Sequence, residues 1–395
     1  MGSKVVRLRP APNTHREGSS HLARGLLAEN AARPARSSIP STVTLGEALA
    51  RRDNALNFIR LVLAAGVIVG HSYQLADIAA PTMWLNPRLQ EWALNGFFAV
   101  SGYLIAGSRV RLSFREFLER RARRILPGLW TVLVVVAFGF APIISWLAGE
   151  GWDPVSSLTY VLRNLGVVVG QEFIDQTLTH APGTPLWNGP LWTLSFEIGC
   201  YLAFGLFLGL RWVRRHGALV CAALLVGLMT AHPFLMEEPE IGLVWKNIVR
   251  LTSFFAAGVL CWFLRDRLPS RWSVVVACTV CLGVLSAVSD GQWYGQVFAA
   301  VALLTAGGLL PIRVGATNDI SYGVYIYGWP VQQALADLGA AGLGIYAYQA
   351  LSLLLVIPFA WASWVLVERR WLSRRRDALS VDVPQVAHHV SARAT

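Results

Sequence analysis

Apolar stretches of about 20 residues recur along most of the chain, and short polar connections separate them. A helix needs about 20 mainly apolar residues to cross the hydrocarbon core of a bilayer. The pattern therefore predicts an all-α, polytopic membrane protein with ten spanning helices. We place these helices at residues 56–75, 92–108, 127–148, 191–210, 217–235, 247–264, 272–289, 294–310, 320–338 and 345–367.

Polar segments at the two ends of the chain enclose the apolar part, which divides the chain into three regions. Residues 1–52 are rich in Ser, Pro, Ala and Arg without lasting periodicity, which is typical of a disordered tail. No apolar core follows Met1, so we expect no cleavable signal peptide. We predict a disordered N-terminal tail at 1–52, a transmembrane domain at 53–372 and a C-terminal tail at 373–395. Residues 155–170 are less apolar and predict a segment at the outer membrane surface.

The distribution of Lys and Arg tests the number and direction of the helices, because basic residues concentrate in cytoplasmic loops. With a cytoplasmic N-terminus, the inner connections hold 29 of the 34 Lys and Arg residues. The outer connections hold only Arg88, Arg163 and Lys246. If one helix were missed or added, basic connections would fall on both sides of the membrane. The sequence therefore predicts that both termini are cytoplasmic.

Composition narrows the class of protein further. Hydrophobic residues make up 54% of the chain and charged residues only 14%, which disfavours two soluble domains. The basic inner connections account for most of the net charge of +11, so no nucleic-acid partner is predicted. The CxxC pair, Cys278 and Cys281, has no second pair or histidine to complete a zinc or redox site. We predict neither a metal site nor a permanently bound cofactor.

Two ionisable residues in the first apolar segment are the first candidates for chemistry. Arg60 and His71 are eleven residues apart, so their side chains lie within about 20° of one helical face and about 16 Å apart along the axis. Ionisable side chains inside a membrane usually face the bundle interior and mark a function. Arg60 could instead be an arginine that snorkels to the headgroups. His71 has no such simple explanation.

A carboxylate in the fourth segment is a candidate partner for His71. With the predicted helix directions, Glu197 lies near two turns below the outer surface, at a depth similar to that of His71. A carboxylate that orients and compensates an imidazole is used in general-base chemistry. We therefore assign His71 and Glu197 as catalytic candidates, with a structural ion pair as the alternative. His180, in an outer loop, and His232, near a helix end, rank below His71.

The inner side of the third segment carries an arginine cluster in the sequence FLERRARRILPGLW. Pro127 follows the cluster and is typical of the beginning of a helix. The arginines can be explained by inner topology alone. Alternatively, they form a fork of guanidinium groups that binds phosphate oxygens, with Arg60 contributing to Arg121 and Arg124 from the first helix.

The second and ninth segments supply weaker candidates. The second contains NGFFAVSGYLIAG, in which Ser101 is either a helix-packing residue or a nucleophile. The ninth, DISYGVYIYGWPVQQ, combines aromatic and amide side chains, as sugar-binding surfaces do. We assign Tyr325, Trp329 and Gln332 to an acceptor-facing role, and Ser101 joins them as a weak substrate-binding candidate.

These elements together resemble the acyltransferase-3 family of integral-membrane acyltransferases, over about residues 54–370. Arg60 and His71 fit the family's pattern of an arginine, ten residues and a histidine. Arg121 and Arg124 fit its Arg-x-x-Arg pair ahead of a proline.

Further short elements strengthen this resemblance, and two depart from it. FFAVSGYL and LWTLSFEIGCY, the second of which contains Glu197, are similar to two family elements. SYGVYIYGWPVQQ resembles a third, but Gly328 stands where the family often has a histidine. VERRWL resembles the family's closing element, with Arg370 at the usual proline.

The resemblance implies transfer of an acyl group, often acetyl, from cytoplasmic acyl-coenzyme A to a glycan or lipid-linked saccharide in a bacterial inner membrane. On this basis the phosphates of the coenzyme would bind Arg60, Arg121 and Arg124, and His71 would be the base or would accept the acyl group itself. The acceptor, the acyl chain, the oligomeric state and the choice between direct transfer and an acyl-enzyme stay open. The alternative function is a membrane transporter or glycan flippase that uses the intramembrane Arg, His and Glu as a polar path.

Overall fold

The computed structural model describes residues 43–51, 53–79, 89–237, 242–288, 291–315 and 317–372. Regular structure in these residues is helical, apart from one isolated bridge between Thr44 and Pro269. The α-helices in chain order are α1 Leu45–Ala50, α2 Leu56–Leu75, α3 Leu89–Arg111, α4 Phe114–Ala148, α5 Pro154–Asn164, α6 Trp192–Phe207, α7 Arg211–Glu237, α8 Leu243–Leu264, α9 Trp272–Val288, α10 Gly291–Tyr294, α11 Gln296–Leu309, α12 Ser321–Asp337 and α13 Ile345–Leu372.

Each of the ten predicted spans falls on one of these helices. Among the described residues, six helical segments are long and apolar enough to cross a membrane: α2, α4, α7, α8, α13, and α6 together with the 3₁₀ turn Gly189–Leu191 that precedes it. Helices α9 and α11 are apolar but shorter. An all-helical, multi-pass membrane protein is thereby confirmed, while the number of ten spans and their direction stay predictions.

The helix that contains the third predicted span begins earlier than the predicted start at Pro127. Helix α4 begins at Phe114, where Ser113 and Glu116 form a reciprocal capping box, and Pro127 lies inside the helix. Hydropathy alone missed these first turns because they carry the arginines. With 35 residues, α4 is about 52 Å long, and the hydrocarbon core is only about 30 Å thick. The helix therefore extends beyond the core.

The end of the predicted N-terminal tail is folded where the structure describes it. Thr44 and Glu47 form a capping box that starts α1, and Leu45 and Leu49 are buried. The helix packs against α11. Residues 43–50 are therefore an ordered part of the bundle. The rest of that tail up to residue 42, and the predicted tail at 373–395, lie outside the described residues.

Helix α12 is the buried centre of the bundle. All of its 17 residues except Leu335 are buried, and it packs on α2, α4 and α13. A helix that contacts protein on every side does not need an apolar stripe facing lipid. This position explains how the ninth predicted segment can carry tyrosines and glutamines.

Helices α3 and α8 are in backbone contact at two glycines. A Cβ atom on Gly102 would lie 2.1 Å from the carbonyl oxygen of Phe255, and one on Gly258 would lie 1.9 Å from that of Ala99. Small residues allow membrane helices to approach this closely. The contact holds Ser101, the neighbour of Gly102, in a fixed position inside the bundle.

We expect Gly258→Ala to destabilise the protein, because α3 and α8 must separate to admit the methyl group. Overpacking of this kind typically costs about 1–3 kcal/mol. Gly283→Ala in α9 is the matched control, since nothing lies within 4 Å of its Cβ position. The melting temperature in detergent should fall for Gly258→Ala only. Equal melting temperatures for the two variants would contradict the close approach.

Candidate functional site

Helix α2 links two polar regions of the bundle. It is continuous from Leu56 to Leu75, so Arg60 and His71 lie on nearly one face, about 16 Å apart along the axis. We call the region around Arg60 the arginine end and the region around His71 the histidine end.

Asp319 is the centre of the arginine end. Its Oδ2 atom accepts hydrogen bonds from Arg60 Nη1 at 2.7 Å and from Arg124 Nη2 at 2.5 Å. Arg124 Nη1 also lies 3.6 Å from Oε2 of Glu368, a buried residue at the end of α13. The shared oxygen sets Arg60 and Arg124 side by side.

The charge of Asp319 is fixed by its neighbours. Burial raises the pKa of this carboxyl, but the charges of Arg60 and Arg124 and the hydrogen bonds from Ser321 lower it below its ordinary value. Asp319 is therefore ionised at neutral pH and offsets part of the charge of both arginines. Asp319 was not among the predicted site residues. Its position just before the buried helix α12 is the feature of the sequence that could have indicated it.

Arg121 lies about one turn before Arg124 on α4, in a different environment. Its guanidinium carbon is 5.8 Å from the centre of the Phe117 ring and 5.9 Å from that of the Tyr201 ring. Within the described part of the chain, Arg121 forms no ion pair, and its buried Nε has no hydrogen-bond partner. Among the described residues, Arg121 therefore keeps an unused hydrogen-bond donor, in contrast to Arg60 and Arg124, which both bind Asp319.

Glu197 lies close to this arginine cluster. Its Oε1 accepts hydrogen bonds from the Ser101 hydroxyl at 3.1 Å and from the Tyr201 hydroxyl. Tyr201 in turn lies against Arg121. Ser101, predicted as a weak acceptor-binding residue, is therefore a hydrogen-bond partner of Glu197.

The equal depth predicted for His71 and Glu197 is not observed. The ring of Trp329 contacts His71, and Tyr325, one turn earlier on α12, has its hydroxyl 2.5 Å from that of Thr193. Glu197 follows Thr193 by one further turn, away from the histidine end. It therefore lies about two turns, roughly 11 Å, below His71.

Glu197 lies deeper than predicted because of the path of the residues that precede α6. Trp187 is completely buried, and a Cβ atom on Gly189 would lie 2.6 Å from the Trp329 ring. The chain has therefore entered the bundle before α6 begins at Trp192. A depth counted from a hydropathy boundary could not include this.

A cavity of about 370 Å³ lies at the histidine end. Its size is within the usual range for small-molecule sites, about 300–1,000 Å³. Aromatic and ionisable side chains line it, among them His71, Glu91, Glu172, Trp192, Tyr325 and Trp329. Of these residues, His71, Tyr325 and Trp329 were predicted site residues, and Trp192 lies in the LWTLSFEIGCY element without a predicted role. Glu91 and Glu172 were not predicted, because no local pattern distinguishes them.

His71 is half-buried at the cavity wall, where its contacts include Trp329 and Gln74. Its ring meets the Trp329 ring edge-on, with centres 5.0 Å apart and an angle of 81° between the planes. Its Nδ1 lies 3.4 Å from Gln74 Oε1. In the tautomer with a proton on Nδ1, this contact leaves Nε2 with the lone pair, which is the arrangement of a general base.

Trp329 and Tyr325 are fixed by the segment that covers α12. The Trp329 indole donates to the carbonyl oxygen of Leu186 at 2.5 Å, and the Tyr325 hydroxyl donates to that of Pro190 at 3.3 Å. These bonds leave the aromatic faces to form the wall of the cavity.

Gln332 and Gly328 join α12 to α2 at the same level. Gln332 Nε2 donates to the carbonyl oxygen of Ile68 and to the Ser72 hydroxyl, both at 2.9 Å. A Cβ atom on Gly328 would lie 2.8 Å from Ile68 Cγ1. The Gln332 amide is thus used in helix packing, and the position of the missing family histidine is filled by Ile68.

The chain matches a family model whose description is Acyltransferase domain, over residues 53–368. It is 28% identical over 341 residues to the O-acetyl transferase of Shigella phage Sf6, covering 84% of this chain and 99% of that protein. It is 24% identical to Nodulation protein 10 of Rhizobium leguminosarum bv. viciae, covering 83% and 95%. It is 27% identical to Exopolysaccharide production protein ExoZ of Rhizobium meliloti, covering 71% and 89%. No solved structure matches this chain significantly.

Proposed function

Given that the chain belongs to the acyltransferase-3 family and is an acyltransferase, we propose that it moves an acetyl group from cytoplasmic acyl-coenzyme A to a hydroxyl of a glycan or lipid-linked saccharide. The main support for this proposal is that one helix, α2, places Arg60 in the arginine cluster and His71 at the wall of the cavity. Relatives named O-acetyl transferase and exopolysaccharide production protein favour acetyl and glycan over other pairs. The family match also favours an enzyme over the transporter or flippase alternative.

The proposal assigns the arginine end to the cytoplasm of a bacterial inner membrane and the histidine end to the outer side, with ten spans. The connections that hold 29 of the 34 Lys and Arg residues lie on the arginine side in this arrangement, which agrees with the preference of these residues for the cytoplasm.

Reporter fusions test this orientation. Fusions near residues 85, 170 and 240 should report the outer side, and fusions near 115, 268 and 375 should report the cytoplasm. The reason is the uneven distribution of Lys and Arg between the two sets of connections. Two or more reversed reports would contradict the ten spans and the assignment of the two ends.

The phosphates of the donor would bind at the arginine end. Arg121 supplies a guanidinium without an ion-pair partner among the described residues, and Arg60 and Arg124, which share Asp319, lie beside it. Planar guanidinium groups match phosphate oxygens in geometry and charge. The pantetheine arm would then extend along α2, past Glu197 and Ser101, toward His71.

Arg121→Ala should weaken acyl-coenzyme A binding. A hydrogen bond to a charged group contributes about 1.5–3 kcal/mol, so the Kd for the donor should rise by about 10–150-fold. Arg120→Ala is the control, because Arg120 is exposed on the same helix. Equilibrium binding to purified proteins measures both. A donor Kd that is the same in wild type and Arg121→Ala would leave this arginine with a topological role only.

The acyl transfer would take place beside His71. Nε2 takes the proton of the acceptor hydroxyl, the oxygen attacks the thioester carbon, and an ester C–O bond forms. The C–S bond breaks, and coenzyme A leaves as a thiolate that takes up a proton. The same residues also permit a first transfer to His71 and a second one to the acceptor. Glu197 would orient or polarise the donor from below.

The acceptor would bind in the cavity at the histidine end. Trp192, Tyr325 and Trp329 offer aromatic surface, and Glu91 and Glu172 offer carboxylate acceptors for sugar hydroxyls. This combination, a mainly apolar wall with a few polar groups, is typical of sites that bind small organic molecules.

Mass analysis of surface glycans from a deletion strain tests the function. The strain should lack an acetyl group that returns with a plasmid copy of the wild-type gene but not with the His71→Ala gene. The purified protein should also release coenzyme A from acetyl-coenzyme A when a glycan extract is added. Unchanged glycans together with no release of coenzyme A would overturn the proposal.

A further inference from the structure

Three side chains from distant parts of the sequence meet at the histidine end, outside the cavity that contains His71. They are Glu150, which follows α4, His180 in the next long loop, and Asp337, the last residue of α12. One ligand atom of each lies within 4.8 Å of the other two. His180 Nδ1 is 2.9 Å from Glu150 Oε1. The backbone N–H of His180 donates to Asp337 Oδ1 at 3.1 Å.

Glu150 is a fixed carboxylate in this cluster. Its carboxylate accepts hydrogen bonds from the backbone N–H groups of Leu178 at 2.8 Å and Thr179 at 2.5 Å. The backbone N–H of His180 also donates to it, at 3.0 Å. The carboxylate is therefore oriented before any ligand binds.

The buried carboxylate of Asp337 gives independent support for a bound ligand. The residue is only 5% exposed, and its Oδ2 atom is buried without a hydrogen-bond partner among the described residues. A buried polar oxygen without a partner is costly, and a second carboxylate beside it increases that cost. A cation between the two carboxylates would remove both penalties.

We propose that Glu150, His180 and Asp337 bind a divalent metal ion of the class that accepts mixed nitrogen and oxygen ligands, with Zn²⁺ as the representative. Mg²⁺ and Ca²⁺ prefer oxygen ligands only, whereas one imidazole and two carboxylates suit Zn²⁺. Three protein ligands leave a coordination position for water.

A metal ion at this site would stabilise the loop at residues 178–186, which leads to the cavity wall. The ion would join the end of α4, the loop at residues 178–180 and the end of α12. The same loop continues to Leu186, whose carbonyl oxygen holds the Trp329 indole. The metal is therefore assigned a structural role, and its binding does not depend on the acyl-transfer chemistry. The sequence analysis predicted no metal site, because His180 is 30 residues from Glu150 and 157 from Asp337.

Zn²⁺ binding to the full-length protein in detergent tests the inference. The protein is stripped with EDTA, and Zn²⁺ is titrated while bound metal and melting temperature are measured. All proteins carry His388→Ala and His389→Ala, since this adjacent histidine pair could bind Zn²⁺ by itself. We expect one Zn²⁺ per chain and a higher melting temperature.

Single substitutions identify the ligands. His180→Ala and Asp337→Asn should each weaken Zn²⁺ binding by at least the roughly 10–100-fold typical of losing an outer-shell partner. The His180 side chain is 59% exposed, so its loss should leave the fold intact. Asp175→Asn, which changes an exposed carboxylate of the same loop, is the control and should bind like the parent. No bound Zn²⁺ in the parent, or equal affinity in the parent, His180→Ala and Asp337→Asn, would overturn the inference.

Discussion

His71→Ala should fold and bind acyl-coenzyme A normally but transfer the acyl group about 10²–10⁴-fold more slowly, the usual contribution of a general base. The reason is position. His71 is the ionisable group that α2 presents to the cavity wall, and Trp329 and Gln74 fix its ring. Removal of the imidazole leaves the arginine end, the proposed donor site about 16 Å away, untouched. The loss should therefore appear in kcat and not in donor affinity.

The measurement is turnover by purified protein at matched amounts, with donor affinity determined on the same samples. His216→Ala is the matched control, because His216 is an exposed histidine of α7 whose ring contacts the carbonyl oxygen of Trp212. Glu197→Gln distinguishes the role of Glu197 from that of His71. Because Glu197 lies below His71, this variant should affect donor placement as well as turnover. Turnover by His71→Ala within a few-fold of wild type would exclude His71 as the base.

Asp319→Asn should produce the largest loss of stability among single substitutions at the arginine end. Asp319 is the acid between Arg60 and Arg124, and the three side chains are less than 20% exposed. Removal of one partner from a buried ion pair typically costs about 3–5 kcal/mol, because uncompensated charge stays buried. We expect a fall of several degrees in the melting temperature in detergent.

Asp53→Asn is a closely matched control for this substitution. Asp53 also bridges two arginines, lying 3.7 Å from Arg51 Nε and 3.5 Å from Arg313 Nη2, but its side chain is 46% exposed. Exposed ion pairs contribute about 0–1 kcal/mol, so this variant should melt near the wild-type temperature. Equal losses for the two variants would contradict the role of burial.

The pH dependence of the Asp319 effect follows from the lowered pKa. Because the pKa of Asp319 in the folded protein is below the ordinary value of about 3.9, its contribution is complete above about pH 4. The contribution is lost as the pH falls through the folded pKa. The difference in melting temperature between wild type and Asp319→Asn should therefore be constant near neutral pH and narrow only in strong acid.

The sequence predicted those features that depend on local pattern. Helices were found because a bilayer demands long apolar stretches. The relation between Arg60 and His71 was found because helical periodicity fixes the angle and rise between them. Tyr325 and Trp329 were found because their composition is unusual for a lipid-facing helix.

Features that depend on contacts between distant segments were missed. The role of Asp319 exists only because α2 and α4 bring Arg60 and Arg124 to one oxygen. The depth of Glu197 depends on a loop that enters the bundle before its helix begins. Pro127 indicated a helix start, but the capping box at Ser113 had already begun the helix.

The contact between Gly328 and Ile68 couples two positions that are 260 residues apart in the sequence. A side chain at position 328 overlaps the Ile68 side chain, which is itself 2% exposed and enclosed by the bundle. A histidine at 328 therefore requires the Ile68 side chain to move or to be replaced by a smaller one. Substitution at position 68 first avoids this overlap at the centre of the protein. The cost of a second imidazole at 328 should thus depend on the residue at 68, which is epistasis between the two positions.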